Sequence, residues 1–234
     1  MATDVQDRGC EGEPPPLPPR KARETAGSQS SSQLPHVAPS TSDDALTSPD
    51  RVPPTSCRVE ELRRIITGPF GLVLMPSRSH DEVFPRLYVG EGDIAKKLPR
   101  LQELGITHVV NAAHNIGVFT GPHFYRDTNI QYLGVEAVDH DGFDMMPYFI
   151  QTADFIEDAL RDDTAKVLVH CLEGFSRSAT LVIAYLMLKQ GMMVQEAVRT
   201  VRDRREVCPN DGFLKQLCIL NDKLLSSRSK QTET

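Results

Sequence analysis

The chain has 234 residues, a hydrophobic fraction of 39 % and a formal net charge of −6 at pH 7. This length is enough for one sizeable domain plus extra segments, and the acidic balance argues against broad attraction to nucleic acid or to anionic membranes. No stretch of the sequence reaches the roughly 18 apolar residues that a membrane-spanning helix requires.

The first 55 residues differ in composition from the rest of the chain. They contain ten of the 17 prolines and no aromatic residue. Such a segment offers little apolar surface to offset the entropy of ordering, so we expect it to be disordered. Within it, residues 15–20 read PPLPPR and fit the P-x-x-P-x-R pattern of polyproline ligands that SH3 domains bind. A plain proline-rich linker is the alternative interpretation.

Residues 56–226 alternate short apolar strands with helical patterns, and a polar tail at 227–234 is expected to be disordered. This alternation is typical of an α/β fold with a mostly parallel sheet. The predicted strands span residues 83–90, 107–111, 130–136 and 167–169. The predicted helices span residues 59–66, 94–104, 146–160, 179–188, 194–201 and 213–224, and residues 112–127 are predicted to form a loop. Asn210 is predicted to cap the last helix.

The most informative stretch is 167–180, which reads VLVHCLEGFSRSAT. An apolar strand leads to Cys171, five residues separate it from Arg177, and an apolar helix follows. A loop between a strand and a helix N-terminus aims backbone N–H groups into one hollow, which favours anions. Gly174 permits an unusual backbone conformation, Arg177 can grip two phosphate oxygens, and the positive field favours a thiolate at Cys171. Ser178 can hydrogen-bond the sulfur. A buried structural cysteine is the alternative.

Three aspartates, Asp139, Asp141 and Asp144, follow the predicted strand at 130–136. The leaving oxygen of a phosphate ester needs a proton, especially when it comes from serine or threonine, so an acid must reach it from above the loop. Asp139 is favoured because its strand should end at the same sheet edge as Cys171. Asp141 is the competitor, and Asp144 should cap the next helix. A solvated turn is the alternative for all three.

The segment HCLEGFSRS matches the H-C-x5-R-S loop of cysteine-dependent protein phosphatases. Together with LGITHVVNAAH, LGVEAVDHDGFD and CPNDGFLKQL, it makes residues 57–225 resemble the atypical dual-specificity phosphatases, especially the vaccinia H1-related type. The resemblance implies a protein tyrosine phosphatase-like fold with about five strands flanked by helices. It also implies hydrolysis of phosphotyrosine and of phosphoserine or phosphothreonine through a phosphocysteine intermediate. No metal or cofactor is expected, and MAP kinases are the implied substrate class.

The resemblance also implies roles for individual residues. Cys171 would be the nucleophile, Arg177 the phosphate clamp, Asp139 the general acid, and Ser178 the group that assists breakdown of phosphocysteine. Arg205 would bind the second phosphate of a doubly phosphorylated substrate, although a solvated basic helix end is the alternative. The residues expected to bind the substrate phosphate, those at 172–176 chiefly through backbone N–H groups, are Leu172, Glu173, Gly174, Phe175, Ser176, Arg177 and Arg205.

The five cysteines are Cys10, Cys57, Cys171, Cys208 and Cys218. Their odd number and spacing match neither a disulfide framework nor a zinc site, which predicts a reducing compartment. With no apolar signal core at the N-terminus, we expect a cytoplasmic or nuclear protein that is not secreted. Cys208 stands where the resembling type has glycine. It could form a reversible disulfide with Cys171 if the two lie close together, or be an inert thiol.

Two other functions compete with a protein phosphatase. A phosphatase of a non-protein phosphate, such as an RNA 5′ end, a glucan or a lipid, is disfavoured by the acidic chain and the loop without lysine. A non-catalytic adaptor that binds phosphoproteins is disfavoured by the complete set of Cys171, Arg177 and Asp139.

Overall fold

The computed structural model describes residues 57–232, and a five-stranded sheet lies at its centre. In spatial order the strands are β1 (His80–Phe84), β2 (Leu87–Gly90), β5 (Val167–His170), β3 (His108–Asn111) and β4 (Gln131–Gly134). β1 pairs with β2 in the antiparallel sense, and the other neighbouring strands are parallel. The predicted α/β fold with a mostly parallel sheet is therefore confirmed.

The middle strand, β5, is buried along its whole length. Val167 and Val169 belong to one apolar cluster and Leu168 to another, because successive side chains of a strand point to opposite faces of the sheet. A strand that is covered on both faces is expected to have a continuous apolar sequence. The strand delivers Cys171 to the carboxyl edge of the sheet, at its centre.

Helices cover both faces of the sheet. The larger apolar cluster includes residues of α1 (Val59–Thr67), α5 (Met146–Leu160), α6 (Arg177–Lys189), α7 (Val194–Arg202) and α8 (Asp211–Thr232). The smaller cluster includes residues of α2 (Gly92–Ala95), α3 (Leu98–Leu104) and α4 (Pro122–Tyr125). Every residue of α6 from Arg177 to Met187 is buried, which explains why its sequence is apolar on most faces.

The predicted strand at 83–90 is instead a hairpin formed by β1 and β2. The chain turns at Pro85 and Arg86, where Arg86 has a left-handed φ of 63°. The Arg86 guanidinium donates hydrogen bonds of 2.6–3.2 Å to three carbonyl groups around the end of α5, those of Leu160, Asp162 and Ala165. A distant contact therefore stabilises a turn that the apolar run does not reveal.

Two further predictions differ from the structure in detail. The helix predicted at 94–104 is divided into α2 and α3, although it ends as expected, with Gly105 as a left-handed C-cap. Pro99 lies in the first turn of α3, where its missing N–H breaks no helical hydrogen bond, so the helix can restart there. The loop predicted at 112–127 contains the short helix α4.

The C-terminal end of the domain also differs from the expectation. Helix α8 runs through to Thr232, so residues 227–232 are helical, where a disordered tail was predicted. The tail prediction came from polar composition alone, and the helix simply continues past its last core residues. The proline-rich segment at 1–55 and its PPLPPR motif lie outside the described residues.

The structure pairs Cys57 with Cys218 in a disulfide, with a Cα–Cα distance of 5.3 Å. The sequence spacing did not predict this bond. The two cysteines are 161 residues apart and meet only because the start of α1 lies against α8. Cys171 and Cys208 are the free thiols within residues 57–232.

No helix within residues 57–232 is long and apolar enough to cross a bilayer. In the same part of the chain, no three His, Cys, Asp or Glu side chains converge as a metal-binding group.

Candidate active site

Cys171 lies between the end of β5 and a loop formed by residues 172–176, after which α6 begins at Arg177. The cysteine is 1 % exposed, and its Sγ lies 3.3 Å from the Oγ of Ser178. Ser178 is in the first turn of α6, so the strand and the helix together fix the sulfur–hydroxyl contact. A hydroxyl at this distance can donate a hydrogen bond to a thiolate.

Gly174 gives the loop its tight path. Its φ is +63°, a left-handed conformation that side chains disfavour. A Cβ at this position would lie 2.4 Å from both the carbonyl carbon and the oxygen of Gly90 in β2. Only glycine permits this close approach, so the loop can lie directly against the end of the neighbouring strand.

The carbonyl groups of the loop are turned toward the surrounding protein. The Leu172 carbonyl accepts a hydrogen bond from the Gly92 N–H at 2.8 Å, and the Phe175 carbonyl accepts one from the Cys208 N–H at 2.9 Å. Within the described residues, no N–H group of residues 172–176 donates to a protein acceptor. The loop thus has unpaired donors on its backbone, as an oxyanion site requires.

Arg177 is 7 % exposed at the start of α6. Its Nη1 donates to the Ala137 carbonyl at 3.2 Å, and its Nε lies 3.3 Å from Oδ2 of Asp139. The guanidinium is therefore anchored to the chain just beyond β4, and the expected general acid lies beside the expected phosphate clamp.

Asp139 is held by donors from two further elements. Its Oδ1 accepts hydrogen bonds from the Ser176 hydroxyl at 2.7 Å and from Nδ2 of Asn210 at 2.9 Å. Asp141 is exposed, and Asp144 accepts a hydrogen bond from the Met146 N–H at the start of α5. Of the three aspartates, only Asp139 joins the group around the loop.

Arg205 does not lie where the resemblance predicted, beside the second phosphate of a substrate. Its side chain is fully buried, and its Nη1 lies 2.8 Å from Oδ2 of Asp81, which is also buried. The guanidinium also donates to the carbonyl groups of Gly174 at 2.8 Å, Glu173 at 3.1 Å and Arg78 at 2.9 Å. Because these contacts occupy it beneath the loop, the predicted contact with a second phosphate is wrong, and Arg205 instead supports the loop.

His170 and Cys208 flank the loop. Burial lowers the pKa of His170 to about 4, so its imidazole is neutral at neutral pH. Its Nδ1 lies 3.2 Å from the Cys171 carbonyl, which fits an N–H donor on that nitrogen. Burial raises the pKa of the Cys208 thiol, and Asp139 adds to this effect while Arg63 opposes it. A raised pKa makes Cys208 a poorer nucleophile than an ordinary exposed thiol.

Three residues near the loop were not predicted from the sequence to belong to the site. The sequence assigned Asn210 only as a helix cap, and it does accept a hydrogen bond from the Phe213 N–H at 2.9 Å as well as holding Asp139. Asp81 and Gln216 had no signal in the sequence, because their roles depend on partners more than 70 residues away.

Comparison with known proteins agrees with this geometry. The family model "Dual specificity phosphatase, catalytic domain" matches residues 87–223. Dual specificity protein phosphatase 13B of Homo sapiens is 48 % identical over 145 residues, which are 62 % of this chain and 73 % of the relative. The crystal structure of human DUSP28 has a TM-score of 0.57 and 27 % identity, and the match covers 65 % of this chain and 99 % of that one. A mouse putative dual specificity phosphatase, complexed with zinc tungstate, has a TM-score of 0.58 and 30 % identity, with 64 % and 91 % covered. This chain therefore belongs to the dual specificity phosphatase family and is an atypical dual-specificity protein phosphatase.

Proposed function

We propose that this phosphatase acts through Cys171, Arg177 and Asp139, with Ser178 assisting the second step. The thiolate of Cys171 attacks phosphorus while the bond to the leaving oxygen breaks, and Asp139 gives that oxygen its proton. Arg177 and the N–H groups of residues 172–176 hold the phosphoryl oxygens and stabilise the charge of the transition state. The products of this step are the dephosphorylated side chain and a phosphocysteine.

In the second step, water attacks the phosphocysteine and the S–P bond breaks. Asp139, now a carboxylate, takes a proton from the attacking water. The sulfur leaves as a thiolate and accepts a hydrogen bond from Ser178, whose Oγ lies 3.3 Å from it. Inorganic phosphate is released and the enzyme returns to its starting protonation state.

The main support for this assignment is that three elements of the fold meet around one loop. Cys171 ends β5, Arg177 begins α6, and Asp139, just after β4, lies 3.3 Å from Arg177. The contacts of Asp139 with Ser176 and Arg177 support it as the acid, since the structure gives Asp141 no such contact with the loop in the described part of the chain. Tungstate, a tetrahedral oxyanion like phosphate, is bound in the mouse relative, which supports an oxyanion site in this chain.

We further infer that the substrates are phosphoproteins and include MAP kinases, and that the enzyme works in the cytoplasm or nucleus. The substrate inference rests on the sequence resemblance, as does assignment to the vaccinia H1-related type. The compartment rests on the number and spacing of the cysteines, and the Cys57–Cys218 disulfide counts against it. The PPLPPR motif supports an SH3 domain as a partner of residues 15–20. A purified SH3 domain that binds a peptide of these residues, but not one with Arg20→Ala, would support that interaction.

The catalytic assignment is tested with Cys171→Ser and Asp139→Asn. Cys171→Ser should abolish hydrolysis of 4-nitrophenyl phosphate yet retain binding of inorganic phosphate, since the oxyanion site is mostly backbone. Asp139→Asn should slow phenyl phosphate by about 10²-fold, within the range that a general acid supplies, and 4-nitrophenyl phosphate much less. That difference is expected because nitrophenolate leaves readily without a proton. If Asp141→Asn shows this pattern and Asp139→Asn does not, the acid has been misassigned.

A further inference from the structure

The segment that carries Asp139 lies along the first turns of α8. We call residues 139–145 the acid loop. Contacts occur in matching order along both segments: position 139 meets 210, position 141 meets 212, and positions 143 and 145 meet 216. The acid loop and the helix therefore run side by side, and their contacts are spread along the whole loop.

Gln216 makes the contact farthest from Asp139. Its Nε2 donates to the Phe143 carbonyl at 2.8 Å, and its Oε1 accepts from the Met145 N–H at 2.7 Å. One amide side chain thus satisfies an acceptor and a donor of the acid-loop backbone. Gln216 is partly buried and Met145 fully buried, so losing these bonds would leave polar backbone groups without partners.

Gly212 lets the middle of the acid loop touch the helix. A Cβ at this position would lie 1.8 Å from the Asp141 carbonyl oxygen and 2.5 Å from its carbonyl carbon. Any side chain here would push the loop outward. The contact is therefore possible only with glycine, and it places the loop backbone directly on α8.

We propose that Gln216 is a positioning residue for Asp139, which it holds beside Arg177 by fixing the far end of the acid loop to α8. The proposal rests on the proposed role of Asp139 as the general acid. Asn210 binds the carboxylate itself, whereas Gln216 acts only through the loop backbone. The acid loop is therefore closed before substrate arrives, and α8 acts as its scaffold.

The proposal predicts a selective defect in Gln216→Met, which keeps the length of the side chain and removes both hydrogen bonds. The kcat/KM for phenyl phosphate should fall by about tenfold, a part of the roughly 10²–10⁴-fold that a general acid contributes. The kcat/KM for 4-nitrophenyl phosphate should change by less than about twofold, since its leaving group needs little protonation. Inhibition by orthovanadate should be unchanged, because residues 172–176 are not altered.

Three further variants make the test decisive. Lys215→Met changes the exposed neighbour on the same helix and should behave as wild type on both substrates. Gln216→Glu keeps the acceptor for the Met145 N–H and loses the donor to Phe143, so its defect should be selective and smaller. In the Asp139→Asn background, Gln216→Met should cause no further loss on phenyl phosphate, because a residue that acts through Asp139 has nothing left to position.

The outcomes separate this proposal from the assignment of the general acid. If Asp139→Asn shows no selectivity for the leaving group, the proposed role of Asp139 fails. If Asp139→Asn is selective while both Gln216 variants resemble wild type, the positioning role is overturned. It is also overturned if Gln216→Met and Gln216→Glu each lose activity equally on both substrates together with orthovanadate affinity, since that would indicate general damage to the fold.

Discussion

Replacing Arg205 by methionine should destabilise the protein and weaken its activity on every substrate alike. Methionine fills a similar volume but removes the contact with Asp81 and the hydrogen bonds to the Gly174 and Glu173 carbonyls. Two losses follow. The buried carboxylate of Asp81 loses its buried partner, and the loop at 172–176 loses the group that supports it from below.

The size of the effect can be worked out from the contacts. Breaking a buried ion pair typically costs about 3–5 kcal/mol, because an uncompensated charge stays in the interior. We expect about 3 kcal/mol, the low end of that range, because Nε of Arg78 remains 2.6 Å from Oδ1 of Asp81. For a domain of this size, that loss should lower Tm by roughly 6–12 °C.

The assay combines thermal unfolding with kinetics on two substrates, a small aryl phosphate and a doubly phosphorylated Thr-x-Tyr peptide. For Arg205→Met, kcat/KM should fall by the same factor on both. Arg204→Met is the matched control, because Arg204 is the exposed neighbour and its replacement removes the same charge. Adding Asp81→Leu to Arg205→Met should recover part of the lost stability, since the unpaired carboxylate is then gone.

One result would refute this reasoning. If Arg205→Met keeps the wild-type Tm and loses activity only on the doubly phosphorylated peptide, Arg205 must reach a substrate phosphate. In that case the Arg205 side chain would have to leave its buried position during catalysis.

Two further predictions concern the strand and loop around Cys171. Because burial lowers the pKa of His170 to about 4, the unfolded chain binds a proton there from about pH 6.5 downward while the folded chain does not. Stability should therefore fall as the pH drops through this window, by up to about 3 kcal/mol at 1.36 kcal/mol per pKa unit. Urea unfolding at pH 7.5 and 4.5 should show this loss in the wild type and less of it in His170→Gln; equal losses would contradict the assignment. Gly174→Ala should reduce kcat/KM by roughly 10²-fold, since its Cβ would displace the loop from Gly90. Gly191→Ala is the control, because φ there is also positive, at 70°, but no atom lies within 3.6 Å of the added Cβ. A Gly174→Ala variant as active as this control would argue against the close approach.

The α/β class and the loop after Cys171 could be predicted because both are local in the sequence. The buried strand β5 is a continuous apolar run, and the spacing from Cys171 to Arg177 is a property of seven consecutive residues. The sequence also predicted that Asn210 caps α8, which its bond to the Phe213 N–H confirms. A strand, a short loop and a helix can be predicted from such short-range patterns, because few backbone paths join a strand to a helix over so few residues.

The roles of Arg205 and Gln216 were decided by the tertiary structure. Near Arg205 the sequence shows only a cluster of charges, which fits a solvated helix end, a phosphate contact or a buried pair equally well. The choice depends on Asp81, 124 residues earlier, and on whether the folded chain brings it beneath the loop. Likewise, Gln216 meets Phe143 and Met145 across more than 70 residues. Periodicity and spacing report which face of an element is buried, but not which distant group lies opposite it, because that depends on how the helices pack on the sheet.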